Sequence, residues 1–239
     1  MKALFFDLVG TLVEPGSGIG DQYAGVARRH GVGLDAGAIE IAFAREMAST
    51  PAVQAWGLPR AEAEGAERGW WRDLVQRVFA AAGGDDLLRP GRFEPFFEDL
   101  YQRFTTGDAW RLYPDVLPTL DGLKARGLVT GLVTNYDSRI YRLVESLGLA
   151  PRLDSISIPA TAGAPKPARA IFAHALRGHG LAPADAAHVG DSIGDDYEGA
   201  LGAGLEAVLL DRDGRHAALA GVRRARTLDE AVELLRAQG

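Results

Sequence analysis

The chain has 239 residues, 47% of them hydrophobic and 24% charged, and a formal net charge of -6. This composition excludes the disordered and fibrous classes, and the charge works against nucleic acid as the main ligand. Without cysteine there are no disulfides, thiolate metal sites or cysteine nucleophiles.

Residues 3–6 form a short continuous apolar run, as in a strand buried on both faces of a parallel sheet. The run ends on Asp7 and turns through Gly10 and Thr11. No apolar run nears the roughly 20 residues of a bilayer crossing, and Met1-Lys2 leads into this strand without a signal-peptide pattern. A cytoplasmic protein with no membrane partner is therefore expected.

From about residue 15 to 110 the pattern is helical, at 21–30, 36–47, 60–82 and 93–104, with no strand among them. In the third segment Trp70, Leu74 and Val78 fall on one stripe and Trp71, Val75 and Phe79 on the next, so its tryptophans read as packing. Beyond 110, apolar strand runs at 128–135, 154–159, 186–191 and 206–211 alternate with helical segments at 116–125, 139–147, 168–178 and 196–204. A last helix fits TLDEAVELLRAQ, with Thr227 as its N-cap and Glu230 as the box partner. A repeat of roughly 25–35 residues predicts βαβ crossovers and a doubly wound α/β core. That core comprises residues 1–14 and 110–239, and 15–109 is an all-helical insertion after the first strand.

Ligands of open α/β sheets bind at the carboxyl edge of the strands. Four strand ends or following loops carry polar residues there: Asp7; Thr134 and Asn135; Lys166; and Asp191, Asp195 and Asp196. Each alone has a structural explanation as a turn, cap or solvated loop. Together they describe a site for a metal ion and an anion. Carboxylates are hard oxygen ligands of the kind that hold Mg²⁺ beside a phosphate, and an ammonium and a hydroxyl suit the remaining anion oxygens. Lys166 is one of only three lysines among 26 basic residues.

In DLVGTL, LVTN, PKPARAIF and VGDSIGDDYEGALGAG, in that order, the chain resembles the haloacid dehalogenase-like (HAD) hydrolases over residues 1–14 and 110–215. The resemblance implies a Rossmann-like core with a helical cap at 15–109 that selects the substrate. It also implies catalytic roles for Asp7 as nucleophile, Thr134 as holder of the transferring group and Lys166 as the group that orients Asp7. Substrate binding would fall to Thr11, Thr134, Asn135 and Lys166. Mg²⁺ would be held by Asp7, the backbone carbonyl of Val9 and Asp191, supported by Asp195 or Asp196. The expected function is a Mg²⁺-dependent phosphatase acting on a small phosphorylated metabolite through an aspartyl-phosphate.

One position departs from the family pattern. Most phosphatases of the family carry an acid where Val9 stands, and it protonates the leaving alcohol. General acid-base help of this kind is worth about 10²- to 10⁴-fold in rate. Aryl and acyl phosphates leave without a proton, and alkyl phosphates do not. Two further readings accommodate the valine: a 2-haloacid dehalogenase-type hydrolase, which needs neither the acid nor a metal, and a domain that binds metal and phosphate without turnover. Phosphonoacetaldehyde hydrolases also lack the acid, but their Schiff-base lysine comes from the cap, and residues 15–108 contain no lysine. Glu14, Tyr136 and Asp137 lie near strand ends, but the sequence gives none of them the acid's role. Arg28, Arg29, Arg45 and Arg60 are the helical segment's candidates to meet an anionic substrate, and the sequence leaves the oligomeric state open.

Overall fold

Strand β1 (Ala3–Phe6) is buried along its whole length, as its unbroken apolar run requires. The computed structural model describes residues 1–237 and divides them into two units. The first unit holds 1–14, 112–137 and 147 onward, and the second holds 15–111 and 138–146. The chain passes through strands β2 (Val13–Pro15) and β3 (Trp110–Leu112), which pair with each other.

The second unit is helical, with α1 (Ile19–Arg29), α2 (Ala36–Ser49), α3 (Arg60–Ala81) and α4 (Phe93–Arg103). On α3, Leu74, Val75, Val78 and Phe79 are buried in a core shared with Tyr23, Ile39, Phe93, Phe96, Phe97 and Leu100. Each such side chain stabilises the unit by about 1.5–3 kcal/mol. Trp70 and Trp71 pack on this core at its margin, as the stripe pattern predicts, and Trp70 Nε1 donates to the Pro51 carbonyl at 2.8 Å.

The remaining elements follow in chain order. They are α5 (Val116–Ala125), β4 (Val129–Val133), α6 (Ile140–Ser146), β5 (Ser155–Ser157), α7 (Pro159–Ala162), α8 (Arg169–Arg177), β6 (Ala186–Gly190), α9 (Gly199–Gly202), β7 (Glu206–Leu210), β8 (Arg224–Ala225) and α10 (Leu228–Arg236). All but α6 belong to the first unit. Its sheet has the order β5-β4-β1-β6-β7-β8, and every pair is parallel. Ala3 and Phe5 of β1 face Ile171, Phe172 and Ala175 of α8 and Ala200 of α9. Leu4 and Phe6 point the opposite way and are equally buried. α5 packs on β4 and α10 on β7, and Thr119 of α5 donates to Asp229 of α10 at 3.0 Å.

Besides the short strands β2, β3 and β8, which the sequence pattern does not show, three details differ from the sequence expectation. The segment expected as a helix over 196–204 begins as a wide π-type turn, Ile193–Glu198, before α9. The Thr227 hydroxyl accepts the Glu230 N–H at 3.2 Å, but the Glu230 carboxylate reaches the N–H of Arg226, one residue before the cap. Residues 138–146 group with the helical unit: Ser138 N donates to Glu67 Oε2 at 3.0 Å, and the Arg139 guanidinium lies 4.8 Å from the Trp71 ring and 4.4 Å from that of Tyr101. Gln238, the last residue of the expected final helix, lies outside the described residues. No described helix is long and apolar enough to cross a membrane.

Candidate active site

Sheet register assembles the site. β1 is the switch point, because the chain lays β4 and β5 on one side of it and β6, β7 and β8 on the other. Phe6 is level with Leu132 of β4 and Val189 of β6, so Asp7, Thr134 and Asp191 leave the sheet at the same edge. Asp7 N donates to the Val189 carbonyl at 2.9 Å, and Thr134 N to the Ser157 carbonyl at 3.1 Å.

After Asp7 the chain makes a tight loop in which the Leu8 carbonyl accepts the N–H groups of Thr11, Leu12 and Val13. Gly10 closes the loop at φ +85°, a conformation that favours glycine. A Cβ there would stand 2.4 Å from Asp191 Oδ2, so the glycine also makes room for that carboxylate. None of these loop bonds is accepted by the Val9 carbonyl. Val9 is 36% exposed and is not among the buried core residues. Arg212, which the sequence reading missed, steadies the loop: its guanidinium pairs with both Asp115 oxygens at 3.0 Å and donates to the Thr11 carbonyl at 2.8 Å.

At the centre, the buried Lys166 Nζ donates to Asp7 Oδ1 at 2.6 Å and to Asp196 Oδ1 at 2.5 Å. Asp196 also lies 2.8 Å from His188 Nε2, and its Oδ2 accepts the Ser192 N–H at 3.0 Å. Ligand oxygens of Asp7, Asp191 and Asp196 all lie within 4.8 Å of one another. Burial and the neighbouring charges of Asp7 and Asp196 push the Asp191 carboxyl up to about 7. Burial also raises Asp7 against the opposing charge of Lys166. Burial works against the Lys166 ammonium, but the two carboxylates outweigh it and raise the amine. For Asp196, burial is outweighed by the His188 hydrogen bond and the Lys166 charge, which hold the carboxyl well below its usual range. Three carboxylates around one ammonium leave an excess of negative charge, and all the donors are hard oxygens. The cluster fits a divalent cation such as Mg²⁺.

The other sequence candidates have distinct places. Thr134 is buried, and its hydroxyl favours the ionised form of the Asp7 carboxyl. Asn135 is engaged by the protein itself: its Oδ1 accepts the Lys166 N–H at 2.7 Å, and its Nδ2 donates to the Lys166 carbonyl at 3.2 Å and to Asp195 Oδ2 at 3.3 Å. It pins the lysine loop rather than presenting a free amide. Thr11 is fully buried, and its hydroxyl has no partner among the described residues. In the helical unit Arg28 and Arg29 are exposed, Arg45 pairs with Glu46 at 3.0 Å and Arg60 with Glu64 at 2.8 Å. His188 was missed because it falls inside an apolar strand run. Its signal is positional, since it precedes Gly190 by two residues and therefore shares its face.

A doubly wound sheet thus carries an aspartate, a lysine and an acidic cluster at its switch point. Residues 1–204 match the family model of haloacid dehalogenase-like hydrolases, and the chain belongs to that family. It is 33% identical over 211 residues to haloacid dehalogenase-like hydrolase domain-containing protein 3 of Mus musculus, covering 88% of this chain and 82% of the mouse protein. The crystal structure of a HAD phosphatase from Thermococcus onnurineus superposes with a TM-score of 0.68 at 25% identity, over 98% of both chains. The L-2-haloacid dehalogenase of Xanthobacter autotrophicus shares the fold, with a TM-score of 0.72 over all of both chains at 18% identity.

Proposed function

We propose that the protein is a Mg²⁺-dependent phosphatase that acts on small phosphorylated metabolites with good leaving groups. The observation that carries this reading is the cluster of Asp7, Asp191 and Asp196, whose shared negative charge a single ammonium leaves uncompensated. A dehalogenase of this fold needs no such cation site, and the likeness to the Xanthobacter enzyme extends to the fold alone. The likeness to the Thermococcus phosphatase supports the same choice.

In this reading Asp7 Oδ2 attacks phosphorus while Oδ1 stays on Lys166. An oxygen–phosphorus bond forms on Asp7, the bond to the leaving oxygen breaks, and water then releases phosphate from the aspartyl-phosphate. Thr134 and Lys166 hold the phosphoryl oxygens, and Asn135 keeps the Lys166 backbone in place. Asp7, Asp191 and the Val9 carbonyl would hold Mg²⁺, with Asp196 behind them. When bound, Mg²⁺ supplies charge neutralisation and polarises the phosphoryl oxygens. Val9 offers no proton to the leaving oxygen, so aryl and acyl phosphates turn over faster than alkyl ones. Residues 15–109 take the part of the family's cap, and residues 1–14 and 110–239 that of its core.

The test is phosphate release from p-nitrophenyl phosphate with and without Mg²⁺, with Asp7→Asn as control. Release that needs both the metal and Asp7 is expected. Release unchanged in Asp7→Asn overturns the mechanism, and chloride release from 2-chloropropionate in the absence of metal would give the site to dehalogenation.

A further inference from the structure

His188 takes no part in the chemistry above, yet it is fully buried in the middle of β6. A buried imidazole is expected to satisfy a partner. Alternation along the strand puts His188 and Gly190 on one face, and Asp196 folds back over both. His188 Nε2 lies 2.8 Å from Asp196 Oδ1, and a Cβ on Gly190 would come within 2.2 Å of Asp196 Cγ. The ring stands edge-on to Phe172 with centroids 5.4 Å apart, and its Nδ1 has no partner among the described residues. An ionised carboxylate only accepts, so Nε2 carries the proton and donates it.

We infer that His188 is a positioning residue that fixes Asp196 as the rear anchor of the Lys166 ammonium and so sets that ammonium against Asp7. This inference rests on the phosphatase reading for its kinetic consequence. Asp196 Oδ1 is shared by His188 at 2.8 Å and Lys166 at 2.5 Å, and Oδ2 is taken by Ser192 N. The terminal torsion of aspartate is broad. Without the His188 donor the carboxylate keeps only Ser192 N and Lys166 as partners, so it can turn about that torsion and Lys166 shifts with it. The Thr134 contact is untouched, and the Lys166 ammonium is needed most as charge develops during transfer, so the loss falls mainly on kcat.

His188→Met and His188→Gln have similar length, but only glutamine can donate a hydrogen bond. With p-nitrophenyl phosphate and Mg²⁺, the methionine variant is expected to lose roughly 10- to 100-fold in kcat with KM within about threefold of the parent. The glutamine variant recovers most of that loss. An unchanged kcat in the methionine variant, an equal loss in both, or a loss confined to KM overturns the inference. Nitrogen-15 NMR of the parent protein supplies a readout that needs neither turnover nor a folded variant. A His188 ring protonated at Nε2 supports the inference, and one protonated only at Nδ1 sinks it. If the parent releases no phosphate, the proposed function fails, and the ring spectrum alone decides whether His188 holds Asp196.

Discussion

Replacing Lys166 by methionine removes one charge and little volume from a place where charge balance is tight. The Lys166 side chain is 3% exposed and its partners Asp7 and Asp196 are 10% and 2% exposed, so water cannot take over the ammonium's role. Breaking a buried pair by removing one partner costs about 3–5 kcal/mol, a large share of the roughly 5–15 kcal/mol that holds a domain together. With the cation gone, one of the two carboxylates takes up a proton, and its folded pKa rises above the unfolded value. The deficit is therefore absent below the unfolded carboxylate pKa, about 4, and grows as pH rises toward the new folded pKa. Lys166 itself has a raised pKa, so its own contribution is fully present throughout that window. Urea unfolding at pH 5 and pH 8 reads the effect. All four tryptophans, Trp56, Trp70, Trp71 and Trp110, lie in the helical unit, so fluorescence follows that unit while circular dichroism follows both. The expected result is an earlier circular dichroism transition, more so at pH 8, partly restored by Mg²⁺, with the fluorescence transition little changed. A deficit below about 1 kcal/mol at pH 8, or one that grows on acidification, would refute the charge-balance argument.

Val9→Asp should raise turnover of alkyl phosphates by about 10²- to 10⁴-fold and that of p-nitrophenyl phosphate far less. Because Val9 is exposed, the melting temperature should scarcely move, and equal gains on both substrates would count against the leaving-group argument. Asp191, held up to about 7 by burial and its acidic neighbours, ties cation binding to a proton. Its folded pKa lies above the unfolded value, so in metal-free protein its ionisation costs stability as pH rises from about 4 toward 7. Mg²⁺ affinity should fall by roughly tenfold per pH unit below that value and level off above it. Calorimetric titration in buffers of differing ionisation enthalpy measures the released proton, and Asp191→Asn should abolish both proton release and binding. A pH-independent affinity in the parent would remove Asp191 from the ligand set.

The sequence was most legible where one physical demand dominated. The apolar run at β1 and the period of α5 could be read to the residue, because burial on two faces or on one helical stripe leaves little choice. The three-residue strands β2 and β3 and the two-residue β8 carry too few side chains to show alternation. Sequence order brought out Asp7, Lys166 and Asp191 because strand ends converge at one edge. It could not show that the Asn135 amide is occupied by the Lys166 backbone, nor that Thr11 is buried, since both depend on loop paths. The allegiance of Ser138–Ser146 was equally hidden, because Arg139 lies between rings supplied by α3 and α4, many residues earlier in the chain.

That allegiance bears on how such chains recombine. An exchange that cuts only at 14/15 and 111/112 would carry away α1 to α4 but leave Ser138–Ser146 behind. The incoming helices would have to supply a carboxylate for Ser138 N and two aromatic rings for Arg139, or bring their own version of that segment. Helices α1 to α4 should therefore be inherited together with Ser138–Ser146, and chimaeras that ignore this pairing should express poorly even when both parents fold well.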